Sequence, residues 1–226
     1  MGKPRYALYY TPAPWSPLEQ LGSQWLGRDT TVDDFVEQPR VPGFSPERIA
    51  ELTEKPQHYG FHATLKAPFE LAPGKTEDDL LGAVEELASE LEPIDAPPLE
   101  VAQLAGFLAL RFAVPCPEVD QLAAACVQRL DDFRRITPRP AEGLTPRQIE
   151  LQNRWGYPYV LEECRFHMTL TDRVSDLAAE PLLAFLREYF EPALLEPVVV
   201  DRITIFVQDD REDPFSRLED VPLGLL

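Results

Sequence analysis

The chain has 226 residues, 44% of them apolar and 27% charged, which suits one globular domain, or one domain of two lobes, with a sizeable core. Its formal net charge of −18 repels polyanions and argues against general nucleic-acid binding. Salt screens distant charge within roughly 8–10 Å, so a small phosphorylated ligand in a locally basic cleft stays compatible with that surface.

No stretch is apolar for long enough to span a bilayer, and residues 1–12 lack the apolar run and cleavage site of a secretory signal, so no membrane partner is expected. Gly2 after Met1 is a myristoylation start in form, but Tyr6 stands where that motif needs Ser or Thr. Cys116, Cys126 and Cys164 are odd in number and show no C-x-x-C spacing, which indicates neither a disulfide framework nor a thiolate zinc site and points to a reduced cytoplasm. Cys126, in an Ala-rich helical run, reads as core.

Residues 5–10 read as an aromatic strand and residues 17–26 as a helix. Residues 28–44 are loop-like, and Ser45-Pro46 opens a short capped helix. Residues 60–67 form a strand. Thr76 caps a helix to about residue 91. Residues 99–104 and 107–114 form a hairpin about Ala105-Gly106. A helix runs from Pro117 to about Phe133, and the irregular segment 135–160 holds a short helix at Thr145-Pro146 and the aromatic run WGYPY. Residues 165–171 form a strand, 176–190 a helix and 198–207 a last strand, followed by an acidic loop-like tail from Gln208.

Two of the three histidines sit in matching segments, FHATLK with His62 and FHMTLT with His167. Each precedes a helix and then a strand, a weak internal repeat that implies two related α+β lobes. Strand alternation puts His62, Thr64 and Lys66 on one face, and Arg165, His167, Thr169, Thr171 and Arg173 on one face. Two imidazoles can supply an acid and a base near neutrality. Thr hydroxyls and Lys66, Arg165 or Arg173 can hold phosphate oxygens, and no metal or other cofactor is required. A strand also favours Thr for its own sake, and Lys66 and Arg173 are equally compatible with solvation.

The paired H-x-T-hydrophobic motifs resemble the 2H phosphoesterase superfamily, the LigT-like cyclic phosphodiesterases. YGFHATLKAPF, GFLAL, RWGYPY and RFHMTLT are similar to a subfamily associated with phosphonate metabolism. The resemblance runs from about Arg5 to Phe206 and implies an α+β, bilobal, pseudo-two-fold fold over residues 1–226. It implies two antiparallel sheets around a central cleft with helices outside. It also implies His62 and His167 as general acid and base, Thr64 and Thr169 as phosphate binders, and a small cyclic phosphodiester as substrate.

Tyr59 and Tyr157 flank the motif strands and either stack a base or ribose or pack the rim. Phe206, on the face of Arg202, Thr204 and Gln208, is either a stacking platform or a packing residue, and Arg154 is a candidate cleft wall. His58 precedes His62 by four residues, but Tyr59-Gly60 breaks a helix there, which disfavours a metal pair. Three rivals stand beside the phosphoesterase reading. They are an RNA-end 2′,3′-cyclic phosphodiesterase or 2′–5′ RNA ligase, a non-catalytic nucleotide-binding module, and a metal-dependent hydrolase using His58, His62 and His167. The residues leave open which histidine is the acid, the exact substrate and the oligomeric state.

Overall fold

The computed structural model describes residues 3–224; Met1 and Gly2, on which the myristoylation motif turns, lie outside the described residues, as do residues 225–226. In chain order, β1 spans Arg5–Tyr10, α1 Pro17–Leu26, β2 Arg28–Asp29, β3 Asp34–Phe35, α2 Pro46–Tyr59, β4 Ala63–Glu70 and α3 Glu77–Ser89. Next come β5 at Ile94–Ala96, β6 at Leu99–Leu104, β7 at Phe107–Phe112, α4 at Pro117–Arg129 and α5 at Pro146–Trp155. The chain continues through β8 at Met168–Thr169, α6 at Asp176–Leu194, β9 at Val198–Val200, β10 at Arg202–Gln208 and β11 at Ser216–Pro222. The helix starts follow their sequence signals: Ser16, Ser45, Thr76 and Thr145 each accept a backbone N–H of the first turn.

The architecture is α+β, and every strand pair is antiparallel. Seven strands lie in the order β11-β10-β1-β4-β8-β7-β6. The two expected sheets are halves of this one, joined where β4 meets β8 at the single pair Ala63–Met168. These residues each follow a motif histidine, so the repeat's pseudo-two-fold axis passes beside the joint. The strand after each repeat's helix crosses over: β6 pairs with β7, and β10 pairs with β1. The short strands β5 and β9, which also follow those helices, pair with each other.

One face of the sheet is apolar. Tyr6, Leu8, Tyr10, Ala63, Leu65, Leu110, Met168, Leu170, Ile203 and Ile205 join buried residues of the helices in one continuous core. Cys126 lies in it, as expected. The other face carries Ala7, Tyr9, Thr204 and Phe206 with the motif histidines and threonines between. Alternation along each strand thus sends the chemistry to the face opposite the core.

Four expectations are corrected. The segment 165–171 keeps ladder pairing only at Met168–Thr169. The segment 198–207 is broken at Asp201 into β9 and β10. The acidic tail contains β11, an edge strand tied to β10 through Asp220, which accepts from the Thr204 hydroxyl at 2.9 Å and lies 3.5 Å from Arg202. The helix opened by Ser45 is not short: α2 has 14 residues and continues past Pro56 to Tyr59. No helix among the described residues is long and apolar enough to cross a membrane.

Candidate active site

The joint between the half-sheets brings the two motifs together. The antiparallel register through Ala63–Met168 sets His62 beside Thr169 and Thr64 beside His167, with all four side chains on the face away from the core. Burial follows: His62, Thr64, His167 and Thr169 are half-buried, whereas Ala63, Leu65, Met168 and Leu170 are buried.

Both rings are clamped the same way. His62 Nδ1–H donates to the Gly60 carbonyl at 2.9 Å, and His167 Nδ1–H donates to the Arg165 carbonyl at 2.7 Å. A carbonyl only accepts, so each bond fixes the proton on Nδ1 and leaves Nε2 as the working nitrogen. His62 Nε2 faces the Thr64 hydroxyl at 3.3 Å. Gly60 closes α2 at φ 80° and ψ 177°, and a Cβ there would stand 2.5 Å from Thr30 Cγ2, so glycine is required where that carbonyl is presented. Burial drives the His62 imidazolium down to about 4; the Gly60 bond opposes the shift and the charge of a protonated His167 adds to it.

The other expected residues divide. Tyr59 is beside His62, ring centroids 6.3 Å apart, and stacks on Phe215. Tyr157 packs with Val127, Leu151 and Val160 and meets Tyr159 edge-on, so it forms a wall continuous with that cluster. Arg173 is exposed beside the Ala105-Gly106 turn, one residue from Phe107, which packs on His167 at 5.7 Å.

Lys66 does not join the group. It is 3% exposed, its ammonium donates to the Val127 carbonyl at 3.1 Å and lies 3.8 Å from Asp131. The reason is a register shift in β4 between Thr64 and Lys66, which breaks the alternation that put Lys66 with the histidines. Phe206 is 0% exposed and lies under Tyr9, so it is packing rather than a platform. Arg165 turns to the carbonyls of Glu162 and Cys164, Thr171 satisfies the Leu108 N–H, and Arg154 lies over Trp155 and reaches Asp131. His58 Nε2 accepts from the Gln208 amide at 3.0 Å and is not part of the pair.

The family model described as "Protein of unknown function (DUF1045)" matches residues 64–216. The chain belongs to the DUF1045 family. Among curated proteins, this DUF1045 chain is 37% identical over 230 residues to a protein named ribose 1,5-bisphosphate phosphokinase PhnN from Janthinobacterium sp. (strain Marseille), covering 97% of the chain and 51% of that protein. It is 38% identical over 209 residues to a protein of the same name from Laribacter hongkongensis (strain HLHK9), covering 91% and 48%. The chain thus spans about half the length of the curated relatives it matches. Among solved structures it is similar to E. coli LigT complexed with 3′-AMP, at a TM-score of 0.49 and 13% identity, covering 99% of this chain and 100% of that one.

Tyr9 is the site residue of this DUF1045 protein that sequence reasoning missed. Its ring stacks on His62 at 3.7 Å and 26° and so covers one face of the imidazole. The signal was present, since Tyr9 lies on the polar-face side of β1, opposite Thr64. The clamping carbonyls of Gly60 and Arg165 carry no sequence signal of their own. His167, Thr64 and Thr169 fall inside the family match, and His62 stands two residues before it.

Proposed function

We propose that this chain is a phosphodiesterase that opens a small, cyclic phosphodiester by general acid–base catalysis between His62 and His167. The observation that carries the reading is the pair of equivalent rings on one face of the joint, each held by Nδ1 so that Nε2 is the nitrogen left for proton transfer. His62, neutral well below pH 7, takes a proton from water at Nε2 as the water oxygen bonds to phosphorus. The ester P–O bond breaks, and the leaving oxygen takes the proton on Nε2 of His167. The Thr64 and Thr169 hydroxyls donate to the non-bridging oxygens. A bound phosphate raises the His62 pKa toward the range where a base works best. The two rings supply both proton transfers, so the scheme calls for no metal.

A ribose cyclic phosphate is the favoured substrate class, because the matched relatives are named for a ribose bisphosphate. The kinase in that name has less support in these residues. Gly74-Lys75-Thr76 before α3 is like the end of a phosphate-binding P-loop, but Phe69 stands where that loop has its first glycine. The Thr76 hydroxyl is also engaged with Asp79 in a capping box.

Turnover of ribose cyclic phosphates and 2′,3′-cyclic nucleotides in the presence of a chelator tests the reading. The expected result is opening of at least one, with kcat/KM, which follows the free enzyme, persisting below pH 6 until His62 protonates near pH 4. Tight binding without any turnover would instead favour the nucleotide-binding module, and turnover only with added metal would favour the metal-dependent rival.

A further inference from the structure

The net charge of −18 is not evenly spread. Arg5, Arg134, Arg135, Arg139 and Arg211 line one depression, in which Glu70 is the single acidic lining residue among the described residues. Arg135 and Arg211 share Glu70, at 3.6 and 3.1 Å. Arg134 is spent on Asp131. The other two have neutral partners: Arg5 donates to the Gln208 side chain, and Arg139 donates to the Pro68 carbonyl at 3.2 Å. Five guanidiniums therefore face two carboxylates. Burial first, and then the charges of Arg211 and Arg139, hold Arg5 below the ordinary arginine range.

The depression is built rather than incidental. Arg134 is only 9% exposed, and a Cβ on Gly156 would stand 2.9 Å from its guanidinium. It also lies on the catalytic face. Arg5 and Tyr9 share a face of β1, and Tyr9 is opposite Thr64, so the depression begins roughly 13 Å along the strand from the motif threonine, less the reach of the side chains. An aromatic wall connects the two places: Tyr59 is 6.3 Å from His62 and 5.2 Å from Phe215, and the Arg5 guanidinium lies over Phe215 at 5.2 Å.

We propose that this arginine depression is a second oxyanion subsite, which takes the remote phosphate of a ligand whose reacting diester lies at His62 and His167. Planar guanidinium forks match a phosphate dianion bidentately, and a surplus of three cations suits one. The ligand is then a phosphorylated sugar or nucleotide bearing two phosphate groups. The link to the reacting diester rests on the proposed function; the anion subsite itself does not.

Two measurements separate them. Inorganic pyrophosphate is titrated calorimetrically into wild type, an Arg139→Ala/Arg211→Ala variant and a His62→Ala/His167→Ala variant. Both arginines are exposed, so the fold should survive their loss. Binding should weaken at least tenfold in the arginine variant, as loss of charged hydrogen bonds requires, and persist in the histidine variant. Absence of binding by wild type, or equal binding by the arginine variant, overturns the subsite. Turnover of a 2′,3′-cyclic nucleotide with a 5′-phosphate is then compared with its 5′-hydroxyl form. Wild type should prefer the 5′-phosphate about tenfold or more in kcat/KM, and the arginine variant should lose that preference. Equal use of both by wild type overturns the remote-phosphate role. Arginine-dependent pyrophosphate binding with neither nucleotide opened upholds the subsite and places the failure with the phosphodiesterase reading.

Discussion

His62 is held from three sides: Tyr9 stacks on its ring, the Gly60 carbonyl takes its Nδ1 proton, and Thr64 faces Nε2. This enclosure has a price in stability that can be measured. The folded pKa lies near 4 and the unfolded value near 6.5, so below pH 6.5 the unfolded chain binds a proton that the folded one refuses. The neutral ring's contribution is fully present above pH 6.5, is lost as pH falls toward 4, and changes no further below that. Because the ring is half-buried rather than sealed, the loss is on the order of 1–2 kcal/mol. Urea unfolding at pH 7.5 and 4.5 should show wild type losing that much more than His62→Asn; an equal loss in both would contradict the enclosure. At this scale the motif histidines and threonines were legible, because H-x-T repeats on a strand and alternation fixes the face. Lys66 was misread because a register shift is invisible to alternation, and Phe206 stayed open between platform and packing because a polar face can still be covered by a tyrosine.

Elements were legible where their signals are local. The Ser-Pro and Thr caps located the starts of α2, α3 and α5, and the Ala105-Gly106 turn located the β6–β7 hairpin. The weak points are elements defined by partners. β8 is short because its flanking groups bond elsewhere: the Thr171 hydroxyl takes the Leu108 N–H, and the Asp172 N–H reaches the Leu52 carbonyl. β11 exists by pairing with β10 despite its charges and Pro222. The approach of α1 to the first motif gives a prediction. A Cβ on Gly22 would lie 2.2 Å from the Phe61 ring, which is fully buried one residue before His62. Gly22→Ala should cost about 1–3 kcal/mol in urea unfolding by overpacking and lower kcat more than it raises KM. An unchanged midpoint would mean that the helix can move off the strand without consequence.

At the scale of the molecule, the repeat explains why the site exists where it does. Each half-sheet alone has one motif imidazole and one motif threonine hydroxyl on its open face. Antiparallel meeting of equivalent strands at Ala63–Met168 doubles both, and the crossing of β6 and β10 into opposite halves locks the halves together. The repeat was legible from two four-residue motifs, while the crossing of strands and the joining of two sheets into one were not, since neither leaves a mark on a single segment. The acidic composition argued against polyanions as partners and could not reveal the arginine depression, whose members are scattered from Arg5 to Arg211. The central claim is that two equivalent histidines share the work. The direct measurement is kcat/KM of His62→Ala and His167→Ala on whichever cyclic phosphodiester the wild type opens, with circular dichroism confirming the fold. Each should lose on the order of 10²-fold or more, and the double variant should fall little further, because the pair acts as a unit. Activity within a few fold of wild type in either single variant would contradict the account.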